Sequence, residues 1–534
     1  MWDVLIAGGM VYDGTLRPGR RANVAIADRY IAHVGDEDGP ARLRVEADGL
    51  AVAPGFIDAH SHSDLAALVC PDLPSKVRQG VTTEVIGQCG ISAAPLVGAA
   101  RAQAERRVKE WKVDLDWEDL EGFRRAVKRQ GVAANLACLV GHGNLRLAVL
   151  GPEDRSPNDT ELARMQQLLA EGMQQGAFGM STGLIYPPGC YSRTPELEAL
   201  ARVLADYGGV YVTHLRSEGD GLLEALEEAI TVGRSAGVRV CISHHKAAGK
   251  PHWGKTRQTL RRMEEACEEG GEIFCDVYPY TAGSTSLGAL VPSWAHSGGM
   301  EQMLRRLADP EQRVILKRQM AEGIPGWENL GGMAGYDNVL ITRTRSPANR
   351  QAVGMTVAEW AARKGVDPRD AIFDLLLEER GAVGVVLFMM DEEDVRRVIA
   401  HPLSVIGSDA SAVDPDQAEG SKPHPRAYGT FPRVLARYVR EEGLLSWEEA
   451  IHKMTWGTAR RLGLRGRGRL RRGDCADVVV FDPARVADLA TYTEPHQFPT
   501  GIIHVFVNGT AVVFDGQPTG ARPGEVLDSR QGRP

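Results

Sequence analysis

The strongest constraint in this chain is an alternation. From about residue 54 to residue 465, apolar runs take turns with charge-dotted segments of helical periodicity. Eight of these runs end in chemistry-bearing residues: PGFIDAHSH, VTTEVIGQCG, NLACLVGHG, GAFGMSTG, VYVTHLRSE, VCISHHKA, IFCDVYPYTAGST and PLSVIGSDA. Helical segments between them include 160–175, 195–207, 221–235 and 255–269. Short apolar runs, each followed by a helix, are the pattern of βα units around a parallel sheet. Eight such units predict an α/β fold, a closed (β/α)8 barrel of the TIM type. The histidines, cysteine, aspartates, serines and tyrosines gather at the carboxyl ends of the runs, the face on which such barrels build their sites.

The two ends of the chain read differently. Residues 1–53 contain DVLIAGGMVYDG, NVAIADRYIAHVG and RLRVEADGLAVAP, and residues 466–534 contain DCADVVVFDP and GIIHVFVNGTAVVFDG with a turn at Asn508-Gly509. Neither segment has enough strands for a core of its own, so a small joint β-sandwich of both termini is the economical solution. The barrel is then expected over 54–465. Residues from about 287 to 342 fit no βα unit and predict an inserted lid over the barrel mouth. Ala7-Gly8-Gly9 is not a dinucleotide fingerprint, because G-x-G-x-x-G and a following helix are missing.

Composition excludes several classes. The formal charge is −8, from 62 basic and 70 acidic residues, which argues against a nucleic-acid partner. The one basic run, Arg460 to Arg472, reads as a solvated surface segment. No apolar stretch reaches the ~18 to 20 residues that span a bilayer, so no membrane is expected. The amino terminus lacks a basic n-region, and the eight cysteines include no C-x-x-C pair. A reducing, cytoplasmic location fits. The sequence leaves the oligomeric state open.

At the run ends stand His60, His62, Cys89, His214, His244 and Asp409. Imidazole, thiolate and carboxylate are the ligands Zn²⁺ takes. Each has a bland reading alone: a loop histidine, a small buried hydrophobe, a helix cap. Arriving together at five corresponding strand ends, they predict a metal centre. His142 ends the third run with its direction open; His245 should point away from His244 on an extended strand. His252 and His424 lie in loops without an assignable role.

The stretch PGFIDAHSH, the histidines ending the fifth and sixth runs, and the aspartate ending the eighth resemble the metal-dependent amidohydrolase superfamily. Within it the chain is similar to the N-acyl-D-amino-acid deacylase (D-aminoacylase) family. The resemblance continues through IGQCG, STGLIYPPG, THLRSE, SHHKA, DVYPYTAGST, IGSD, HPRAYGTFPRVL and GTARRLGL, nearly the whole chain. It implies zinc-dependent hydrolysis of N-acyl-D-amino acids, small-molecule substrates, to a carboxylate and a free D-amino acid. It also implies a tight zinc on Cys89, His214 and His244 with Asp409 close by, and a second, weaker or partly occupied position on His60 and His62.

Further roles follow from the same resemblance. Asp409 is the expected general base, Tyr186 an oxyanion donor, and Arg426, Lys246, Tyr278 and Ser284 the groups that hold the substrate carboxylate, Lys246 standing with the catalytic groups as well. The lid, with Trp294, Met300 and Met303 but also the basic Arg305 and Arg306, leaves the substrate side chain undecided between apolar and acidic, apolar being preferred. The alternatives are a D-dipeptidase, a cyclic-amide hydrolase related to the dihydroorotases and hydantoinases, or a catalytically silent scaffold. The cyclic-amide enzymes are expected to carry a carboxylated lysine at the end of strand four, where this chain has GMSTGLIYPPG.

Overall fold

The structure is a computed structural model that describes residues 1–109, 111, 113–418 and 420–531. Its centre is an eight-stranded parallel sheet of Phe56–Asp58, Val81–Ile86, Asn135–Gly141, Gly179–Gly183, Val210–His214, Arg239–Ile242, Ile273–Val277 and Ser404–Ile406, paired in that order. These are the eight expected runs. The first and eighth strands close on each other: Asp409 N donates to His60 O at 2.7 Å, Ala59 N to Ile406 O at 3.2 Å, and Ser61 bridges Ala410. The sheet is thus a barrel.

The interior is filled by Ile57, Val85, Leu139, Phe178, Val212, Phe274 and Val405, all buried. Leu462, Leu464 and Leu527 plug the amino-terminal end. The polar residues that follow each strand are therefore left on the opposite, open face. The helices Asp159–Gln174, Thr194–Asp206, Leu222–Ala236 and Thr256–Glu268 fall within a residue of the expected limits, because turn and cap residues bound them sharply. Asn158 and Glu161, for example, form a reciprocal capping box.

The chain termini share one nine-stranded sheet. Val478–Phe481 pairs antiparallel with Ala51–Pro54, with Val479 opposite Ala53, and this joins the two ends. The sheet wraps a core of Val4, Ile6, Val24, Val52, Val478, Val480 and Phe506. Asn508 and Gly509 both take positive φ (48° and 81°), as a two-residue hairpin requires.

Between the seventh and eighth barrel strands lies the insertion, and it is larger than the 287–342 expected. A three-stranded sheet of Ala282–Ser286, Val339–Arg343 and Gly384–Phe388 carries it. Val339–Arg343 starts inside the expected bounds, whereas Ala282–Ser286 and the central strand Gly384–Phe388 lie outside them and carry no βα periodicity. The Arg-rich run also departs from expectation. Arg467 is buried, paired with Asp477 and Asn508, Arg469 covers the ring of Trp456 at 4.1 Å, and Arg461 donates to Pro402 O at 2.7 Å. These arginines clamp the terminal sheet and the barrel floor. No helix among the described residues is long and apolar enough to cross a membrane.

Candidate metal centre

The open face brings the six expected donors together. Cys89 Sγ lies 3.4 Å from His60 Nε2, 3.7 Å from His214 Nδ1 and 3.6 Å from His244 Nε2. Asp409 Oδ1 is 3.0 Å from His62 Nε2 and 3.5 Å from His60 Nε2. A tetrahedral zinc with ordinary Zn–S and Zn–N bonds sets its S and N donors about 3.6 Å apart. The donor set and its spacing therefore fit Zn²⁺. One thiol has one proton and cannot satisfy three imidazoles at that distance, whereas a cation among them can.

The ligand atoms of His60, Cys89, His244 and Asp409 lie within 4.8 Å of one another. His60 is thus at least as near the sulfur as His214 is, and the donors form one continuous cluster. A second group, His214, Glu218 and His244, is also close enough for a cation, but the Lys246 ammonium already stands there, 2.6 Å from Glu218 Oε1. Three of the residues, Cys89, His244 and Asp409, have positive φ (52°, 36° and 51°). Non-glycine residues held in this region mark a backbone over-determined by its surroundings.

Small residues make the approach feasible. A Cβ on Gly183 would lie 2.3 Å from the Cys89 carbonyl oxygen, and one on Gly407 would lie 2.6 Å from His60 Cβ. Electrostatics follow from the crowding. Burial alone would raise the Cys89 thiol, but His60, His214 and His244 outweigh it and hold the group well below its usual value. Asp409 behaves alike: burial pushes it up, and Arg426, His244, His60 and His62 bring it well below the carboxylate range. Burial would lower the His62 imidazole, but Asp409 and Cys89 outweigh it and lift His62 to about 9.

The remaining expected residues line the same mouth. Arg426 is buried, with Nη1 2.8 Å from Asp409 Oδ2 and its guanidinium 4.6 Å above the ring of Tyr278. Its Nε has no hydrogen-bond partner among the described residues. Lys246 Nζ contacts Glu218 Oε1 at 2.6 Å and His244 Nδ1 at 2.7 Å. Tyr186 packs edge-on against His214, and its hydroxyl is 3.1 Å from Thr285 Oγ1 on the inserted sheet. Ser284 is differently used: its hydroxyl donates to Val385 O at 3.1 Å inside that sheet, and its carbonyl faces Arg426 Nη2 at 3.4 Å.

In the lid, Trp294 donates to Gln319 and Arg306 to Ala295 O, so these side chains are engaged within the insertion. His142 is buried against Glu196 at 2.8 Å, and His245 turns away to Thr259 at 2.7 Å. His424 packs among Tyr278, Tyr280 and Tyr492.

Three supporting residues escape a reading that looks only at strand ends. Asp276 accepts from His244 N at 2.8 Å and contacts His60 Nδ1 at 3.2 Å. Glu218 stands 3.0 Å from His244 Nδ1. Carboxylates on the far ring nitrogen fix the tautomer and orientation of a metal-ligating histidine. Lys76, fully buried, contacts Asp58, Ser61, Ser408 and Ala410. The signal was present: Asp58, Glu84 and Asp276 each interrupt an apolar run, and a carboxylate inside a buried strand requires a partner.

Comparison with known proteins agrees with the geometry. The model of the amidohydrolase family matches residues 44–513. The D-aminoacylase of Alcaligenes xylosoxydans xylosoxydans is 40% identical over 527 residues, covering 98% of this chain and 97% of that protein. The N-acyl-D-glutamate deacylase of the same organism is 38% identical, with 98% and 96% covered. Among solved structures, the N-acyl-D-glutamate deacylase from Bordetella bronchiseptica, complexed with zinc and a phosphonate mimic of the tetrahedral intermediate, superposes with a TM-score of 0.82 at 38% identity, covering 99% of each chain.

Proposed function

This chain belongs to the amidohydrolase family, and we infer from that premise that it is a zinc-dependent N-acyl-D-amino-acid deacylase, cleaving a linear amide to a carboxylate and a free D-amino acid. The observation that carries the reading is the Cys89 sulfur set at zinc-ligand spacing from three imidazoles, with Asp409 beside them. The fourth barrel strand ends in Gly183 with no lysine, which sets the site apart from the cyclic-amide hydrolases.

Cys89, His214 and His244 hold the tighter zinc in this reading, with Asp409 adjoining, and His60 and His62 furnish a second, weaker position. Zinc, when bound, lowers the pKa of water and polarises an amide carbonyl. Asp409, ionised beside Arg426, accepts the proton of the attacking water and passes it to the nitrogen of the departing amine, which leaves only when protonated. Burial raises the Tyr186 phenol, so it stays protonated and donates to the carbonyl oxygen as charge develops there. Arg426, with the unpartnered Nε, and Lys246 receive the substrate carboxylate, with Tyr278 and the Ser284 segment as the wall beside them.

Elemental analysis followed by an N-acetyl-D-amino-acid panel with L-enantiomers tests the reading. Bound zinc with D-selective hydrolysis is expected; absence of turnover by a zinc-loaded protein on every member would overturn it. Asp409→Asn should retain zinc and lose about 10²- to 10⁴-fold in kcat, the range of general-base catalysis.

A further inference from the structure

We propose that Lys76 is a positioning residue for the hydrolytic reaction: its buried ammonium fixes the backbone on both sides of Asp409 and between His60 and His62.

Lys76 lies on the short helix Pro74–Val77, outside every barrel strand, and its side chain is 0% exposed. Nζ donates to Ser408 Oγ at 2.7 Å and to Ala410 O at 2.8 Å. Those are the residues immediately before and after Asp409. The same ammonium reaches Ser61 Oγ at 3.4 Å, the residue between the two histidines of the first strand. Its charge is met by Asp58 Oδ2 at 2.7 Å and Glu84 Oε2 at 3.4 Å.

The partners of the ammonium are themselves linked to one another. Ser408 Oγ donates to Asp58 Oδ2 at 2.6 Å, and Asp58 Oδ1 receives Ser408 N at 2.8 Å and His60 N at 3.2 Å. Glu84 Oε2 accepts from Ser61 and Ser63 at 2.5 and 2.6 Å. Thus one ammonium joins the first, second and eighth strands where the barrel closes, directly beneath their functional side chains.

The backbone shows why such a clamp matters. Asp409 has φ 51°, a left-handed conformation uncommon outside glycine, and contacts to the residues on either side help to hold it there. Lys76 touches neither Asp409 nor Cys89, His214 or His244 among the contacts described, so it acts on the base and the first-strand histidines through their neighbours. A purely structural ion pair could have sat anywhere along the barrel wall. This one grips the flanks of the proposed base.

The inference rests on the reading of Asp409 as the base, and the test separates the two. Lys76→Met, Ser408→Ala and Asp409→Asn are compared with the parent in zinc content, thermal midpoint, visible spectrum after cobalt substitution, and kcat and KM on an N-acetyl-D-amino acid. Lys76→Met is expected to keep the parent zinc stoichiometry and a KM within about threefold while kcat falls about 100-fold, the cost of displacing a reacting group by about an ångström. Ser408→Ala should follow in the same direction by about tenfold, and the cobalt spectra of both should shift as Asp409, which adjoins the tighter position, moves. If Lys76→Met does not fold, Ser408→Ala, which leaves the ammonium paired with Asp58, decides by the same criteria. A folded, zinc-loaded variant with parental kcat overturns the proposal, as does a loss of kcat that merely tracks lost zinc or a rise in KM alone. Parental turnover in Asp409→Asn would instead remove the base assignment.

Discussion

Arg426 Nη1 lies 2.8 Å from Asp409 Oδ2, so the cation assigned to the substrate carboxylate also faces the proposed base. Both side chains are largely shielded from water, where opposite charges interact strongly. The pairing keeps Asp409 ionised at neutral pH and aims its other oxygen at His62 and His60. A substrate carboxylate arriving at Arg426 would therefore share a guanidinium with the base.

Arg426→Met is expected to raise KM and lower kcat together. The loss in kcat/KM should be about 10²- to 10³-fold, equivalent to about 3–4 kcal/mol of transition-state stabilisation. Asp409 has its pKa depressed by Arg426, so without the arginine the acid limb of the kcat/KM profile moves to higher pH. Steady-state kinetics from pH 5 to 9 read both effects; a change confined to KM would restrict Arg426 to substrate binding.

Glu218→Gln addresses the zinc ligands from behind. Glu218 Oε1 lies 3.0 Å from His244 Nδ1 and 2.6 Å from Lys246 Nζ, so the neutral amide loosens both the ligand and the lysine. Zinc affinity or activity should fall about 10- to 100-fold, as for other carboxylates that orient a metal-ligating histidine. Cys89→Ala, which removes the sulfur from the cluster, should weaken zinc further. Chelator competition ranks the two, and a reversed order would contradict the assignment of Cys89 as a principal ligand.

The barrel and its active face were legible because periodicity and one-sided polarity are properties of local sequence. The eight runs and their terminal His60, His62, Cys89, His214, His244 and Asp409 fall where the alternation puts them. What escaped was made of long-range partnership. Lys76 and Ser408 are 332 positions apart, and no local pattern predicts that a lysine on a four-residue helix is fully buried. The inserted sheet was missed for the same reason: Ala282–Ser286 pairs with Gly384–Phe388, about a hundred residues away, and its strands carry no βα rhythm. Ser284 shows the converse, a residue placed at the right wall whose hydroxyl the sheet has already claimed.

The insertion is tied to the metal-site loop by Glu328. Its carboxylate accepts from Ser217 Oγ at 2.6 Å and from Glu218 N at 2.8 Å. Glu328→Ala removes both bonds. Hydrogen bonds to a charged group contribute about 1.5–3 kcal/mol each, so local opening of this contact should rise at least tenfold. Hydrogen exchange at the 217–219 amides measures it, and KM should increase in parallel if the insertion closes the substrate pocket. Unchanged exchange would show that the contact is not what holds the insertion down.

Glu196 gives a pH-dependent stability prediction remote from the zinc cluster. It is 5% exposed and accepts from Arg146 at 2.6 Å while meeting His142 at 2.8 Å. Burial would raise its pKa, but His142 and Arg146 outweigh that and lower it. A depressed carboxylate contributes stability that is fully present above its unfolded value, near 4.5, and is lost as pH falls through the folded value. Glu196→Gln, which leaves the Arg146 charge buried without its partner, should destabilise by about 3–5 kcal/mol at pH 7. The gap between parent and variant should then shrink as the pH falls below about 4.5. Urea unfolding at a series of pH values measures it; a gap that stays constant from pH 7 to pH 3 would show that ionisation of Glu196 is not what stabilises the triad.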